Sequence, residues 1–249
     1  MIRGLYVSAD GMLAQTIKQD VLAANLANVS TPGFRKDTCA IHGFRHVLSD
    51  EAGVIAAEYP TQLEWQQPLF LGITARTDFS PGPLEQTGNP CHLALDGDGF
   101  FAVETPTGTA YTRAGSFTLA SDGTLATSQG YPVLGDSGPL QVSGRSLVVG
   151  SDGQVTVDGK AVDRLKIVAF ADPTRLEKAG AGLFTAPADV QPTDSQAAVR
   201  QGFLEGSNVN AVEQMVAMIT GLRAFEANQR AIAAQDETLK QAVTELGHV

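Results

Sequence analysis

Apolar positions along the chain follow two different periods. From the N-terminus, Ile2, Leu5, Ala9, Leu13, Ile17, Val21, Ala24 and Ala27 recur every three or four residues. That spacing stacks side chains along one face of an α-helix. Arg3, Asp10, Lys18 and Asp20 lie off the stripe. The pattern predicts a helix over 2–29 that stops near Asn28–Ser30, where Thr31-Pro32-Gly33 follows. Proline cannot extend the hydrogen-bond ladder, and glycine frees the backbone to turn. At the other end Val209, Val212, Val216, Ile219, Leu222, Phe225, Gln229, Ile232, Asp236, Leu239 and Val243 keep the same spacing. The first half of this stripe is strongly apolar, and Gln229 and Asp236 interrupt the second half. Ser207 or Asn208 is expected to cap this helix by accepting first-turn amide hydrogens. A long helix cannot bury its stripe on itself, so each is expected to pack on the other or on copies in neighbouring subunits.

Between the helices the period drops to two. Leu165, Ile167 and Ala169 alternate with Arg164 and Lys166, and Val155 and Val157 flank Thr156. Five Asp-Gly pairs, beginning at Asp96, Asp98, Asp122, Asp152 and Asp158, fall at turn positions. Both residues tolerate positive φ, which suits tight hairpins. The expected fold is therefore α+β: terminal helices paired as a coiled coil, with a central antiparallel β domain inserted between them. The expected divisions are an N-terminal helical segment 1–34, an extended connector 35–90, a β-rich domain 91–186, a second connector 187–206 and a C-terminal helical segment 207–249.

Composition narrows the function classes. Lys+Arg number 17 against 27 Asp+Glu, a formal net charge of −10, which disfavours nucleic acid and anionic membrane surfaces as partners. Hydrophobic residues make up 43% of the chain, too many for a wholly disordered protein. The 26 Gly and 12 Pro suit a chain of short strands and turns. Cys39 and Cys91 form no C-x-x-C, so two buried free thiols are expected, with a Cys39–Cys91 bridge as the alternative. Asp10 interrupts the N-terminus before a signal-peptide apolar stretch can form. No run approaches the roughly 18 apolar residues of a spanning helix. The chain is expected to be soluble, without direct membrane insertion, and to leave the cytoplasm, if it does, without a cleaved signal.

Candidate chemistry is sparse. Gly97-Asp98-Gly99-Phe100-Phe101-Ala102 matches a dinucleotide fingerprint, but β-like residues follow where the helix that meets the pyrophosphate should open. A hairpin turn is expected there instead. Asp96 and Asp98 begin a calcium-like loop, yet Thr107 stands where its twelfth-position Glu belongs. His42 and His46 are four apart with Gly43 between them and no acid where a zinc protease needs one. Gly115-Ser116-Phe117 lacks the nucleophile elbow. No catalytic residue, metal ligand or cofactor is expected, and the chain reads as a non-enzyme.

Three segments are more specific than composition requires: Asn25-Leu26-Ala27-Asn28-Val29-Ser30-Thr31-Pro32-Gly33-Phe34, Glu205-Gly206-Ser207-Asn208-Val209-Asn210, and Thr87 to Pro90 leading into Leu93–Phe101. Further matching stretches are Tyr111-Thr112-Arg113-Ala114-Gly115-Ser116-Phe117 and Gly130-Tyr131-Pro132-Val133-Leu134-Gly135. In this order they resemble the bacterial flagellar rod and hook proteins, the axial family that includes the basal-body rod proteins. The resemblance covers nearly the whole chain; Cys91-His92 departs from the family's more usual aliphatic and acidic residues. Within the family, the length, the Gly135-to-Leu140 stretch and Arg164–Val168 before Asp172-Pro173 look most like the proximal-rod members, with the distal-rod members as the nearest rival.

The resemblance implies a structural subunit whose terminal helices form the inner layer of a periplasm-crossing rod that carries torque from motor to hook. Its implied partners are copies of itself, other rod proteins and the flagellar type III export apparatus. It also implies an assembly interface. Asn25, Asn28, Ser207, Asn208 and Asn210 would supply its hydrogen bonds. Leu13, Ile17, Val21, Val212, Met215, Val216, Ile219 and Leu222 would form its apolar seam, with Pro32, Gly33 and Phe34 at the turn. Two other classes are set beside it. A secreted adhesive or carbohydrate-binding β protein would show clustered exposed aromatics, yet Trp65 lies outside the β domain. A hydrolase would need a convergent acid, base and nucleophile.

Overall fold

The computed structural model describes residues 2–43, 71–144 and 146–246. The fold is α+β, with terminal helices that pair and antiparallel sheets between them in sequence. The chain forms two compact units: one holds both chain ends together with 37–76, the other holds 28–36 and 77–209.

In the first unit, α1 spans Ile2–Ala27 and α2 spans Ala211–Leu246. Asn210, rather than Ser207 or Asn208, caps α2: its Oδ1 accepts from the Val212 and Glu213 amides at 3.0 and 3.3 Å. Its own carbonyl accepts the first helical bond, from the Gln214 amide. Ser207 sits too early for that role and its Oγ accepts from the Val209 amide instead. Strands Asp37–Gly43 and Leu71–Thr77 pair as a two-stranded sheet. His42 belongs to that strand, not to a helix, while His46 and Trp65 lie outside the described residues.

The helices pair antiparallel through a face that shares only Phe225, Ile232 and Leu239 with the apolar stripes. On α1 the inward positions are Gly11, Gln15, Lys18, Leu22 and Asn25, all buried or half-buried. On α2 they are Gln214, Met218, Gly221, Phe225, Asn228, Ile232, Gln235 and Leu239. Both sets alternate steps of four and three, the heptad spacing of a coiled coil. Polar bonds fix the register: Asn25 Nδ2 donates to Gln214 Oε1 at 3.3 Å, and Gln19 Nε2 donates to the Met218 carbonyl at 2.8 Å. Gly221 makes room for the amide side chains of α1: a Cβ there would fall 2.7 Å from Gln19 Nε2 and 3.4 Å from Gln15 Oε1. Asn25 also clamps the residue that opens the first strand, accepting from the Asp37 amide and donating to its carbonyl.

The second unit is built from short antiparallel strands. Its largest sheet has six, in the order Glu177–Gly180, Leu183–Thr185, Gly108–Thr112, Phe100–Thr105, Ile167–Ala169 and Thr193–Asp194. Strand Phe100–Thr105 is covered on both faces: Phe101 and Val103 enter one cluster with Leu93, Phe117 and Leu125, while Phe100 and Ala102 enter another with Tyr111, Phe170 and Phe184. A strand buried on both faces reads as a continuous apolar run, which is why Phe100–Val103 does not alternate. A second sheet orders Lys160–Arg164, Gln154–Val157 and Leu147–Val149. Asp158-Gly159 makes its tight turn with φ of 50° and 79°, the paired positive values of a two-residue hairpin. Asp122-Gly123 and Asp152-Gly153 also join paired strands. The Asp96-to-Gly99 turn is not the expected hairpin. Leu93–Asp96 pairs with Ala198–Gln201, so the turn carries the chain from one sheet to another. The stretches expected to connect the domains contribute strands too, Leu84–Gln86 pairing with Phe203–Glu205. Cys39 and Cys91 are free thiols, each half-buried.

Phe101 is fully buried and meets Phe117 edge to face, ring centroids 5.1 Å apart. Replacing it with Ala is expected to cost about 3–5 kcal/mol of unfolding free energy in denaturant titration. Leu119→Ala, at a position 46% exposed, is expected to stay within about 0.5 kcal/mol of the parent.

Candidate assembly interface

Each helix carries a second track opposite the one it pairs through. On α2 it is Val212, Met215, Val216, Ile219 and Leu222, from 46% exposed at Met215 to 67% at Val212. Side chains of this kind are each worth about 1.5–3 kcal/mol on full burial, and here they face outward over three turns. Past Leu222 the same track turns polar, through Arg223, Glu226 and Arg230. On α1 the outward residues are small or polar: Ala9, Thr16, Asp20, Ala24 and Ala27, with Leu13, 60% exposed, the large apolar member. Ile17 and Val21 lie between the two tracks and are half-buried.

The second unit gathers the chain around one buried carboxylate. Glu205 and Arg35 have side chains 1% and 0% exposed, and Arg35 Nη2 donates to Glu205 Oε1 at 2.6 Å. The Gly82 amide donates to the same oxygen at 3.0 Å. Arg113 Nη1 lies 3.5 Å from Glu205 Oε2, and Arg113 Nη2 donates to the Gly97 carbonyl at 2.7 Å. Burial pushes the Arg113 guanidinium down from its ordinary value; the Glu205 charge opposes this, Arg35 adds to it and Asp98 opposes it. Arginine remains charged regardless, so the carboxylate holds two cations in a low-dielectric interior where its own removal would strand them.

Backbone and amide bonds extend this clasp. The Gly33 amide donates to the Glu205 carbonyl, and the Asn208 amide to the Phe34 carbonyl. Gly33 has φ of +67°, and a Cβ there would fall 2.3 Å from the Ala114 nitrogen. Asn208 Oδ1 accepts from the Lys36 amide at 2.8 Å, while its Nδ2 donates to the Asp78 and Ser80 carbonyls. Lys178 Nζ donates to the Arg35 carbonyl and lies 4.8 Å from the Phe34 ring centre. Residues 33–36 and 205–208 are thereby zipped side by side.

The residues expected at an assembly interface thus separate into two groups. Leu13, Val212, Met215, Val216, Ile219 and Leu222 are exposed. Asn25, Gly33, Ser207 and Asn208 instead satisfy partners inside the subunit, because each faces backbone groups that would otherwise be buried without bonds. Asn28 Oδ1 accepts from Thr31 Oγ1 and Asn210 caps α2. Pro32 is half-buried beside Gly33. Arg35, Arg113 and Glu205 were not singled out by sequence reasoning, although Arg113 and Glu205 lie inside the matching stretches. Charged residues set among small residues and turns are the signal that could have marked them. Among the described residues, no group of three His, Cys, Asp or Glu converges where a metal ion could sit, and no helix is long and apolar enough to cross a membrane.

Three family models match. Residues 5–35 match the flagella basal body rod protein model, 94–157 the flagellar hook protein FlgE/F/G D1 domain, and 200–245 the flagellar basal body rod FlgEFG protein C-terminal model. Arg35, Arg113 and Glu205 fall one in each. The chain is 37% identical to the flagellar basal-body rod protein FlgG of Bacillus subtilis, over 98% of both chains. It is 34% identical to the flagellar basal-body rod protein FlgF of Escherichia coli, over 94% of this chain and 95% of that one. With FlgF of Salmonella typhimurium the identity is 33%, over 92% and 93%. The chain belongs to the flagellar basal-body rod protein family. Relatives of both names span it at similar identity.

Removing the Glu205 carboxylate by Glu205→Ala is expected to cost about 3–5 kcal/mol of second-unit stability, since it leaves buried guanidinium charge uncompensated. Arg175→Ala, which breaks an exposed pair with Asp189, is expected to cost under about 1 kcal/mol. Chemical denaturation followed by fluorescence compares the two.

Proposed function

We propose that this chain is a structural subunit of a flagellar basal-body rod, and that it joins its neighbours through the outward tracks of α1 and α2. The observation that carries this reading is the apolar track from Val212 to Leu222, left exposed by a pairing that uses a different and more polar face of the same helix. An exposed contiguous apolar surface on a helix marks an interaction site, and membership in a family of rod proteins makes copies of the subunit and other rod proteins the natural occupants. Placement in the proximal rod is the finer form of the proposal, supported by the Gly135–Leu140 and Arg164–Val168 stretches.

The clasp suits a mechanical role. Residues 28–36 and 203–209 are the stretches of the second unit that run on covalently from α1 and into α2. Binding them to each other through Glu205, Gly33 and Asn208 lets load on either helix be shared by both connections. The proposal includes export through the flagellar type III apparatus, location in the periplasmic part of the basal body and transmission of torque.

Ile219→Asp tests the reading. It places a charge in the middle of the exposed apolar track without touching the inward one. Expected outcomes are loss of rods in electron micrographs of basal bodies, loss of motility, and an unchanged unfolding transition for the second unit. Normal motility in that strain would sink the proposal.

A further inference from the structure

Resting on the assembly reading, we propose a specific pairing: the α2 track of one copy docks antiparallel on the α1 track of the next, with Asp20 opposite Arg223. The outward faces of the two helices differ in kind. Around Asp20 the α1 face is low, with Thr16, Ala24 and Ala27, and its large apolar member Leu13 stands seven residues away, whereas the α2 face projects Val216 and Ile219 beside Arg223. Small residues let helix axes approach and large ones fill the grooves they leave. These faces complement each other better than either complements itself.

A contact between unlike faces is heterologous, and a heterologous contact propagates into an open assembly instead of closing at a dimer. In a co-directional stack each α2 runs antiparallel to the neighbouring α1. Setting Asp20 opposite Arg223 in that direction brings Ala24 opposite Ile219 and Ala27 opposite Val216, so both alanines receive large aliphatic groups. The charges favour the same register. Both residues are exposed, and among the described residues neither makes an ion pair within its own chain. Arg223 is also where the apolar part of the α2 track ends, so its partner fixes how far one helix slides along the other. Exposed opposite charges contribute little energy in isolation but set register and reject like-charged alternatives.

The test uses the full chain as the sole copy in flagellated cells. Asp20→Arg and Arg223→Asp are each expected to lower rod yield severalfold, and the double reversal to restore it. Rescue distinguishes a contact between the two positions from two unrelated surface defects. In a Cys39→Ser, Cys91→Ser background, copies carrying Ala24→Cys and differently tagged copies carrying Ile219→Cys are co-expressed and oxidised in isolated basal bodies. The expected product is a mixed disulfide dimer containing both tags. Ile219→Cys copies linking to one another and not to Ala24→Cys, or charge reversals that are harmless or not rescued, would overturn the pairing. If Ile219→Asp abolishes rods while these cross-links are absent, helix-mediated assembly stands and this register falls. If Ile219→Asp leaves rods intact, the assembly reading fails with it.

Discussion

A carboxylate buried without compensation is among the costliest things a protein interior can contain, and Glu205 is 1% exposed. Its position commits two guanidinium groups and an amide to fixed places: Arg35, Arg113 and Gly82 all converge on it. Those commitments hold the segment that follows α1 against the segment that precedes α2. Gly33 is required because the Arg113–Ala114 backbone passes where a side chain would stand. Asn208 then bonds three further backbone groups at the edge of the same cluster. Three sequence stretches far apart in the chain thus share one electrostatic constraint.

The helix pair solves a different problem. A strongly apolar inward seam would compete with the outward track for the same helices and leave pairing and register ambiguous. Gln15, Lys18, Asn25, Gln214, Asn228 and Gln235 occupy inward heptad positions instead. Polar residues at such positions specify alignment at a cost in stability. The Asn25–Gln214 and Gln19–Met218 bonds provide that alignment here. The most hydrophobic stretch of α2, Val212 to Leu222, is consequently left exposed.

The existence and approximate ends of both helices were legible in the sequence, as was the Asp158-Gly159 turn, because period, proline and paired positive φ are local signals. The apolar stripe was also visible, but periodicity cannot say which surface covers it. In α2 its first part, Val212 to Leu222, marks the outward track, while Phe225, Ile232 and Leu239 of the same stripe face inward among Gln214, Asn228 and Gln235. Residues Gly97–Gly99 looked like a hairpin because a turn motif does not reveal which strands it joins. Arg35 and Glu205 are 170 positions apart, and nothing local in either announces the other. Asn25 and Asn208 drew notice for their chemistry, yet the backbone groups they satisfy lie within the subunit.

Central to this account is that the outward α2 track is covered when subunits assemble and not before. Hydroxyl-radical footprinting of Met215 and Leu222, read by mass spectrometry on the free chain and on isolated basal bodies, tests this directly. The account predicts ready oxidation in the free chain and strong protection in the rod, with Val243 near the end of α2 as an internal comparison. Equal oxidation of Met215 and Leu222 in both states would contradict it.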